Sequence, residues 1–527
     1  MTPCTLNRIW KQACRRGHRR FIAAARNLEE AQTQYLRQLL DDNRTTRFGK
    51  DHAFASIRNL EAFQQQVPVR DDDALTSYLH AVQSGDTHVL TCESVLRLEP
   101  TSGTGGAAKL IPVTARLRRE FNAGLQPWIW DLFEHQPAAT NGPAYWAISP
   151  AFDVEPPPHC RLPVGFQEDG DYLGVLGKVI ARSIQAVPTE VRHVRDPDAF
   201  LFQTVLHLLA KPDLALISVW SPTFLLNLLN RARLEWREAL ARALRDGSGE
   251  RILPSLGRAA SFERSCESPT CNWGALWPRL DVISCWADAW AVEPAQRLMQ
   301  LFPRTTLQPK GLLATEAFIT LPMRDGAGWA HLLSPLSHFY EFLDVETGEV
   351  CGAHQLIRDR IYEVIVTTGG GLYRYALKDR VMLIGWRDTL PMLRFLGRSP
   401  EVSDLVGEKL HTDHVERAAA NALKQSSVEA TDWLLRAHPD PQSPFYEFCI
   451  CLADGGSAGD RLDLLRQQVE SEFEKNPHYA YARSLGQLAP LTIRALSQDA
   501  FAALRPANRE ATQKPQRLFL LRGVDAG

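Results

Sequence analysis

The sequence predicts an α/β protein, and two observations in the middle of the chain carry this prediction. Residues 214–220 and 282–286 form short apolar runs without a polar face, which is typical of strands buried in a parallel sheet. Helical segments at residues 200–210, 222–246 and 292–301 alternate with these strands. Because such alternation produces a sheet that helices cover on both faces, we expect mostly parallel sheets covered by helices in the N-terminal part of the chain.

The segments on either side of this region fit the same interpretation. Residues 1–45 carry apolar side chains at spacings of three and four, which predicts helices. Thr114 is placed to cap a helix over residues 115–134. The last quarter of the chain changes in composition to a smaller α+β unit, with a strand at 445–452 and a helix at 462–475.

Length and charge exclude several classes of protein. A chain of 527 residues is too long for one hydrophobic core, so we expect at least two domains. The net charge is −2, from 59 basic and 61 acidic residues, and gives no reason to expect binding to nucleic acid or a membrane surface. The ten cysteines form no paired CxxC sets, which argues against zinc and indicates a reduced, cytoplasmic protein.

The glycine-rich segment 101–109 is the strongest candidate for a binding loop. Its glycines let consecutive N–H groups point into one concavity, while its hydroxyls add donors and Lys109 adds a positive charge. It departs from a P-loop because Leu110 follows the lysine, and from a dinucleotide fingerprint because residues 110–113 predict a strand. We expect a hairpin, which is either the phosphate loop of an adenylate-forming enzyme or a flexible surface turn.

Two later segments favour the phosphate-loop interpretation. Residues 310–317 predict a strand-to-loop crossing that ends in a hydroxyl, Thr315, beside a carboxylate, Glu316. Residues 367–379 combine a glycine triplet with Asp379. Together with the glycine-rich loop, these segments are the three motifs of adenylation chemistry in the correct order.

With these motifs the chain resembles a bacterial member of the auxin-responsive (Gretchen Hagen) family of acyl acid–amido synthetases, within the adenylate-forming superfamily. The resemblance covers nearly the whole chain and includes the runs 217–222, 284–286, 310–316, 340–342, 371–375 and 395–398. It implies a large N-terminal adenylate-forming domain that binds ATP and the acyl acid, residues 1–395. It also implies a smaller, mobile α+β C-terminal domain, residues 396–527.

The resemblance also implies roles for individual residues. Glu316 would ligate Mg²⁺, Asp379 would accept hydrogen bonds from the ribose, and Lys514 would neutralise charge on the reacting carboxylate and α-phosphate. The remaining ATP-binding residues that it implies are Thr101, Ser102, Gly103, Thr104, Gly105, Gly106, Lys109, Thr315, Tyr373 and Arg398. The chain departs from the family pattern at Lys378, where glycine is usual, and at Gly105, where a serine is frequent.

The activity implied is a two-step ligation that uses ATP and Mg²⁺. A small carboxylic acid becomes an acyl-AMP, and the amine of an amino acid then takes the acyl group to form an amide. An acyl-CoA ligase with the same first step and a degenerate nucleotide-binding protein are the alternatives. We expect a monomer. Trp128, Trp130, Trp146 and Phe166 could line a pocket for an aromatic acid, although aromatic residues at such positions more often belong to the core.

Overall fold

The structure is a computed structural model. Outside its described residues lie 71, 101–109, 148–155, 166–178, 181, 249–251, 268–270, 327, 399–401, 404, 406–409, 439–443, 453–458, 477–478, 481–482, 484–487, 505–517 and 521–527. The chain divides into two compact units, Met1–Arg398 and Ser399–Gly527.

Helices occupy the start of the first unit. They are α1 (Pro3–Ala24), α2 (Leu28–Asn43), α3 (Arg47–Asp51), α4 (Leu60–Gln66) and α5 (Asp72–Gln83), with a 3₁₀ turn at Phe54–Ser56. Side-chain caps mark the starts of α2 and α4. Asn27 accepts from Glu30 N–H at 3.3 Å at the first, and Asn59 accepts from Ala62 N–H at 2.9 Å at the second. The predicted helical start of the chain is therefore confirmed.

Strands β1 (Val95–Pro100) and β2 (Leu110–Thr114) pair as an antiparallel hairpin, and helix α6 (Ala115–His135) follows directly. The Thr114 hydroxyl accepts from Leu117 N–H at 3.1 Å, which confirms the predicted cap. Helix α6 packs against α1.

A four-stranded parallel sheet follows, with strand order β3-β4-β5-β6. Its strands are β3 (Ala144–Trp146), β4 (Leu216–Ser218), β5 (Val282–Cys285) and β6 (Thr306–Pro309). The accompanying helices are α7 (Pro197–Leu209), α8 (Pro222–Leu234), α9 (Arg237–Asp246), α10 (Leu256–Ser265), α11 (Trp273–Leu276) and α12 (Val292–Leu301), and 3₁₀ turns lie at Pro137–Thr140, Thr189–His193 and Ala289–Ala291.

Helices cover both faces of the parallel sheet. Leu216 and Val282 belong to a core with residues of α1 and α6, whereas Ile217 and Ile283 belong to a core with residues of α7 to α12. Alternate strand residues thus face opposite helical layers, which confirms the predicted α/β class and explains why these strands lack a polar face. The helix expected over 222–246 is in fact two, α8 and α9, because the backbone leaves helical geometry at Trp236.

A seven-stranded sheet completes the first unit, and all its neighbouring strands pair antiparallel. The strands are β7 (Thr320–Asp325), β8 (Gly328–Leu333), β9 (Phe339–Asp344), β10 (Val350–Gly352), β11 (Ile361–Thr367), β12 (Tyr375–Arg387) and β13 (Leu390–Arg398), with a 3₁₀ turn at Ala353–Gln355. The expectation of mostly parallel sheets is therefore wrong for this part. Hairpins join β7 to β8, β9 to β10, β11 to β12 and β12 to β13, and their connections are too short for a helical crossover.

The second unit is α+β, as predicted. Its elements are β14 (Val402–Ser403), β15 (Leu410–His411), α13 (Thr412–Ser426), β16 (Ala430–His438), β17 (Phe445–Leu452), α14 (Gly459–Phe473), β18 (Thr492–Leu496), α15 (Gln498–Ala503) and β19 (Leu518–Leu520). A mixed sheet of order β18-β17-β16-β19 packs its apolar residues, such as Phe448 and Ile450, with those of α13 and α14.

Lys378 occupies a bulge in β12 and has a φ of 59°. This left-handed conformation is one that glycine adopts without steric cost, which explains why a glycine suits the position. The lysine side chain is exposed, so it accommodates the conformation without disturbing its neighbours.

We predict that Lys378→Gly changes the free energy of unfolding by less than about 1 kcal/mol, because relief of the backbone conformation offsets the greater freedom of the unfolded chain. Lys378→Val should destabilise by about 1–2 kcal/mol, since a branched side chain resists positive φ. Urea denaturation measures both. Arg394→Val, at an exposed position of β13 with ordinary strand geometry, is the control and should be near neutral. Equal effects of the two valine variants would contradict the prediction.

Candidate active site

The glycine-rich loop connects β1 and β2, whose ends meet where Pro100 pairs with Leu110. This pairing confirms the predicted hairpin. The loop residues themselves, Thr101, Ser102, Gly103, Thr104, Gly105, Gly106 and Lys109, lie outside the described residues, so their contact with phosphate stays a prediction.

The second motif forms a tight turn after β6. Ala314 N–H donates to Ala317 O at 2.9 Å, and a β-bridge joins Leu313 to Phe318, so Thr315 and Glu316 occupy the tip of the turn. Glu316 is only 6% exposed. A carboxylate is therefore held on a short, hydrogen-bonded segment that connects β6 of the parallel sheet to β7 of the next sheet.

The third motif is a second tight turn, between β11 and β12. Thr368 N–H donates to Leu372 O at 2.8 Å, and Gly371 N–H donates to Thr368 O at 3.1 Å. Gly371 has a φ of +96°, and a Cβ placed on Gly369 would lie 2.4 Å from an oxygen of Glu120. Gly371 is thus required by its backbone conformation, and Gly369 by the close approach of α6.

The Glu120 carboxylate on α6 is the partner that approaches this turn. Its Oε2 accepts from Gly369 N–H at 2.8 Å and from His338 Nδ1–H at 3.2 Å. Its Oε1 accepts from the Tyr35 hydroxyl at 2.6 Å and from Arg116 Nε–H at 3.1 Å. Burial, followed by the adjacent charge of Glu120, raises the pKa of Tyr35 well above its ordinary value, so the phenol remains a donor.

His338 connects the Glu120 carboxylate to the second motif. Its Nε2 accepts from Phe318 N–H at 3.0 Å, so the ring proton lies on Nδ1 and is donated to Glu120. Phe318 also accepts from the Tyr340 hydroxyl at 2.7 Å. Two side chains at the start of β9 therefore hold the backbone just after the Glu316 turn.

Thr114 connects the glycine hairpin to the same place. Besides capping α6, its hydroxyl donates to Gly369 O at 2.9 Å. A Cβ on Gly370 would lie 2.8 Å from Pro112 O, so β2 packs directly against the glycine turn. The three motifs, which are distant in sequence, are therefore brought together by Thr114, Glu120 and His338.

The residues that follow the glycine turn have different roles. Arg374 forms a buried ion pair with Glu341 at 2.9 Å and donates to two backbone carbonyls, one in the last turn of α4 and one just after it. Tyr373 is fully buried, its ring stacks on Phe48 at 4.7 Å and its hydroxyl donates to Leu90 O at 2.8 Å. Its nucleotide contact stays a prediction, while the structure shows that its side chain belongs to the core.

Asp379 and Arg398 are brought opposite each other. They pair in register across β12 and β13, at the end of the seven-stranded sheet. Asp379 is 3% exposed. The side chain of Arg398 and the whole of Lys514 lie outside what the structure describes, so the structure places only the backbone of the first.

Three of the four aromatic residues considered for an acid pocket are described by the structure, and these three do not share one neighbourhood. Trp128 is buried against the parallel sheet and lies 6.4 Å from Trp146, ring centroid to ring centroid. Trp130 instead faces α1, where its ring stacks on His18 at 5.6 Å. Phe166 lies outside the described residues.

Comparison with known proteins identifies the family. The model of the GH3 family N-terminal domain matches residues 17–306, that of the central domain matches 331–398, and that of the C-terminal domain matches 413–516. The first match alone spans more than half of the chain. The chain belongs to the GH3 family.

Its relatives include plant amido synthetases. It is 24% identical over 549 residues to the indole-3-acetic acid-amido synthetase GH3.8 of Oryza sativa subsp. indica, covering 91% of this chain and 85% of that protein. It is 25% identical over 307 residues to a GH3 domain-containing protein of Homo sapiens, covering 54% of this chain and 52% of that protein.

Solved structures share the fold. AtGH3.15 acyl acid amido synthetase in complex with 2,4-DB superposes with a TM-score of 0.80 at 18% identity, covering 96% of this chain and 94% of that one. A 2-hydroxyisobutyryl-CoA ligase in the postadenylation state superposes with a TM-score of 0.50 at 10% identity, covering 98% and 89%. The chain therefore belongs to a family that includes amido synthetases, which are carbon–nitrogen ligases.

Sequence reasoning missed Glu120 and His338. The signal for Glu120 was present, because an acidic residue stands among Leu117, Phe121 and Gly124 on the buried face of α6. His338 had no comparable signal, since its partners come from elements far away in sequence.

We predict that Glu120→Gln lowers the free energy of unfolding by about 1–3 kcal/mol, because an amide NH₂ would face donors that now bind a carboxylate. The rate of acyl-adenylate formation should fall as well, since the glycine turn loses its anchor. Urea denaturation and ATP–pyrophosphate exchange measure the two effects.

The control for this prediction is Glu134→Gln on the same helix. Glu134 forms an ion pair with Lys11 at 2.6 Å, but its side chain is 50% exposed, so less than about 1 kcal/mol should be lost. If both variants were equally mild, the Glu120 network would not organise the motifs.

Proposed function

We propose that this GH3 protein uses ATP and Mg²⁺ to convert a small carboxylic acid into an acyl-AMP, and then transfers the acyl group to the amine of an amino acid. The observation that carries this proposal is the convergence of the three motifs on one buried network. Adenylation needs a phosphate loop, a metal-binding carboxylate and a ribose-binding carboxylate in one cleft. The contacts of Thr114, Glu120 and His338 bring the corresponding segments together.

Glu316 is proposed as the Mg²⁺ ligand. Within the described residues, no group of three or more His, Cys, Asp or Glu side chains could hold a metal ion alone. A single carboxylate on a rigid turn fits Mg²⁺ well, because this ion is commonly bound by one or two carboxylates together with substrate phosphate oxygens. When bound, Mg²⁺ would neutralise charge on the phosphates.

The other predicted residues complete the nucleotide site. We propose that Asp379 accepts hydrogen bonds from the ribose hydroxyls, with Arg398 beside it in register. The loop residues from Thr101 to Lys109 would hold the phosphates, and Thr315 and Tyr373 would contribute to binding of the nucleotide. Residues 1–395 would form the domain that binds ATP and acid, and residues 396–527 would contribute Lys514.

The proposed chemistry has two balanced steps. In the first, a carboxylate oxygen of the acid attacks the α-phosphorus of ATP, and the bond to the leaving pyrophosphate breaks. In the second, the neutral amine of the amino acid attacks the acyl carbonyl, AMP leaves, and the nitrogen loses a proton to form the amide. Lys109 and Lys514 would stabilise the negative charge that develops at the phosphate.

The cellular setting is proposed on the sequence alone. We propose a bacterial, cytoplasmic monomer that binds neither nucleic acid nor membrane. In the part of the chain that the structure describes, every helix is too short or too polar to cross a bilayer.

We predict that Glu316→Gln lowers acid-dependent ATP–pyrophosphate exchange about 100-fold or more, because an amide is a poorer Mg²⁺ ligand. Glu349→Gln, an exposed carboxylate in the β9–β10 turn, is the matched control and should retain wild-type exchange. Exchange by Glu316→Gln within twofold of wild type at all Mg²⁺ concentrations would exclude Glu316 as the ligand.

The acceptor can be tested separately. Once an acid supports exchange, we expect added amino acids to yield an amide and AMP, and we expect added CoA to yield no thioester. Mass spectrometry of the products measures both. A thioester would favour the acyl-CoA ligase alternative, and ATP binding without exchange for any acid would favour a degenerate nucleotide-binding protein.

A further inference from the structure

The C-terminal edge of the parallel sheet carries a row of polar residues that the adenylation motifs do not use. Trp146, Ser218, Ser284 and Gln308 pair in register across the four strands. They therefore share the sheet face that packs against α6. In open α/β sheets, ligands bind at the carboxyl ends of the strands, so a polar row here is placed where a ligand would bind.

Lys310 follows this row directly and is held between two indole rings. Its Nζ lies 4.8 Å from the ring centroid of Trp128 and 4.8 Å from that of Trp220, and it donates to Ser218 Oγ at 2.7 Å. Lys310 is only 5% exposed. Two aromatic faces stabilise a desolvated ammonium and fix it at the sheet edge.

Two neighbouring groups in the row are donors without a partner among the described residues. They are Gln308 Nε2 and Ser284 Oγ, in residues that are 0% and 1% exposed. The orientation of the Gln308 amide is fixed, because its Oε1 accepts from Trp128 Nε1–H at 3.1 Å. A buried polar group without a partner is costly, so a ligand rich in acceptors would be stabilised here.

We propose that this edge binds the acyl acid and selects acids that carry a second carboxylate. The proposal rests on the proposed function. The ammonium of Lys310, the amide of Gln308 and the hydroxyl of Ser284 would bind the second carboxylate, and the flanking indoles would contact the body of the acid. Glu316 lies six residues after Lys310, so the two residues are at most about 20 Å apart.

The chemistry of these groups favours an anion over a neutral tail. All three can donate hydrogen bonds, and one carries a formal positive charge. A charge-assisted hydrogen bond in a desolvated place is stronger than a neutral one. An acid with a purely apolar tail would leave Gln308 and Ser284 unpaired, and would therefore bind less tightly.

The first test is calorimetric titration with two probes, benzoate and benzene-1,4-dicarboxylate, in the absence of ATP. The wild type should bind the dicarboxylate at least about 10-fold more tightly. Lys310→Met, which keeps the length of the side chain between the indoles but removes its charge, should abolish this preference. Lys50→Met, an exposed lysine at the end of α3, is the control and should retain it.

Ser284→Ala keeps the test decisive if Lys310→Met does not fold. Removing a hydroxyl without a partner should leave the thermal midpoint of unfolding unchanged, while binding of the dicarboxylate should weaken about 3- to 10-fold. Equal affinity of the wild type for the two probes, or an unchanged preference in both variants, would overturn the proposal.

Exchange kinetics separate this inference from the proposed function. If the edge selects the acid, Lys310→Met should raise the KM for the dicarboxylate at least about 10-fold more than it raises the KM for benzoate. If the wild type binds the dicarboxylate more tightly than benzoate but shows no exchange activity, the proposed function would be excluded and the binding site would still stand. If the KM for the dicarboxylate in exchange does not depend on Lys310, the binding site would be excluded and the proposed function would still stand.

Discussion

The buried carboxylate of Glu120 is the interaction on which the geometry of the site depends. It accepts hydrogen bonds from α2, from its own helix, from the start of β9 and from the glycine turn. A carboxylate removed from water is costly unless donors surround it, so these four elements must be in place together. The part of the site that Glu120 contacts is therefore built on the core of the first unit.

The four-stranded parallel sheet and the seven-stranded antiparallel sheet of the first unit supply different parts of the proposed site. The antiparallel sheet carries the glycine turn and the register that sets Asp379 opposite Arg398. The parallel sheet ends in the polar row and Lys310. The segment with Glu316 connects them, since it begins after β6 and ends before β7. This arrangement is suited to a reaction in which an acid and a nucleotide meet beside one metal-binding carboxylate.

Lys378 has a left-handed backbone conformation that suits glycine, although the residue is a lysine. The bulge in β12 keeps a left-handed conformation at this position although lysine stands there. Because the adjoining strand pairs hold the bulge in register, the conformation is imposed by the sheet and not by the residue. The departure from the family pattern therefore leaves the backbone before Asp379 in the form that a glycine would give.

Local sequence patterns determined many of the secondary-structure elements of this protein. Buried apolar runs between helices specified the parallel sheet, the Thr114 cap specified the start of α6, and the proline-interrupted strand after Lys109 specified a hairpin. These features depend on neighbours within a few residues, so the sequence contains the whole signal. The order of three motifs likewise sufficed to indicate adenylation chemistry.

Only the tertiary structure decided how those motifs meet. His338 contacts Glu120 across 218 residues, and Lys310 reaches Ser218 across 92. Nothing in the local sequence of either residue marks such contacts, because the partner positions are set by sheet register and helix packing. The pairing of β13 with β8 in the seven-stranded sheet was decided in the same way, because it joins strands that are distant in sequence.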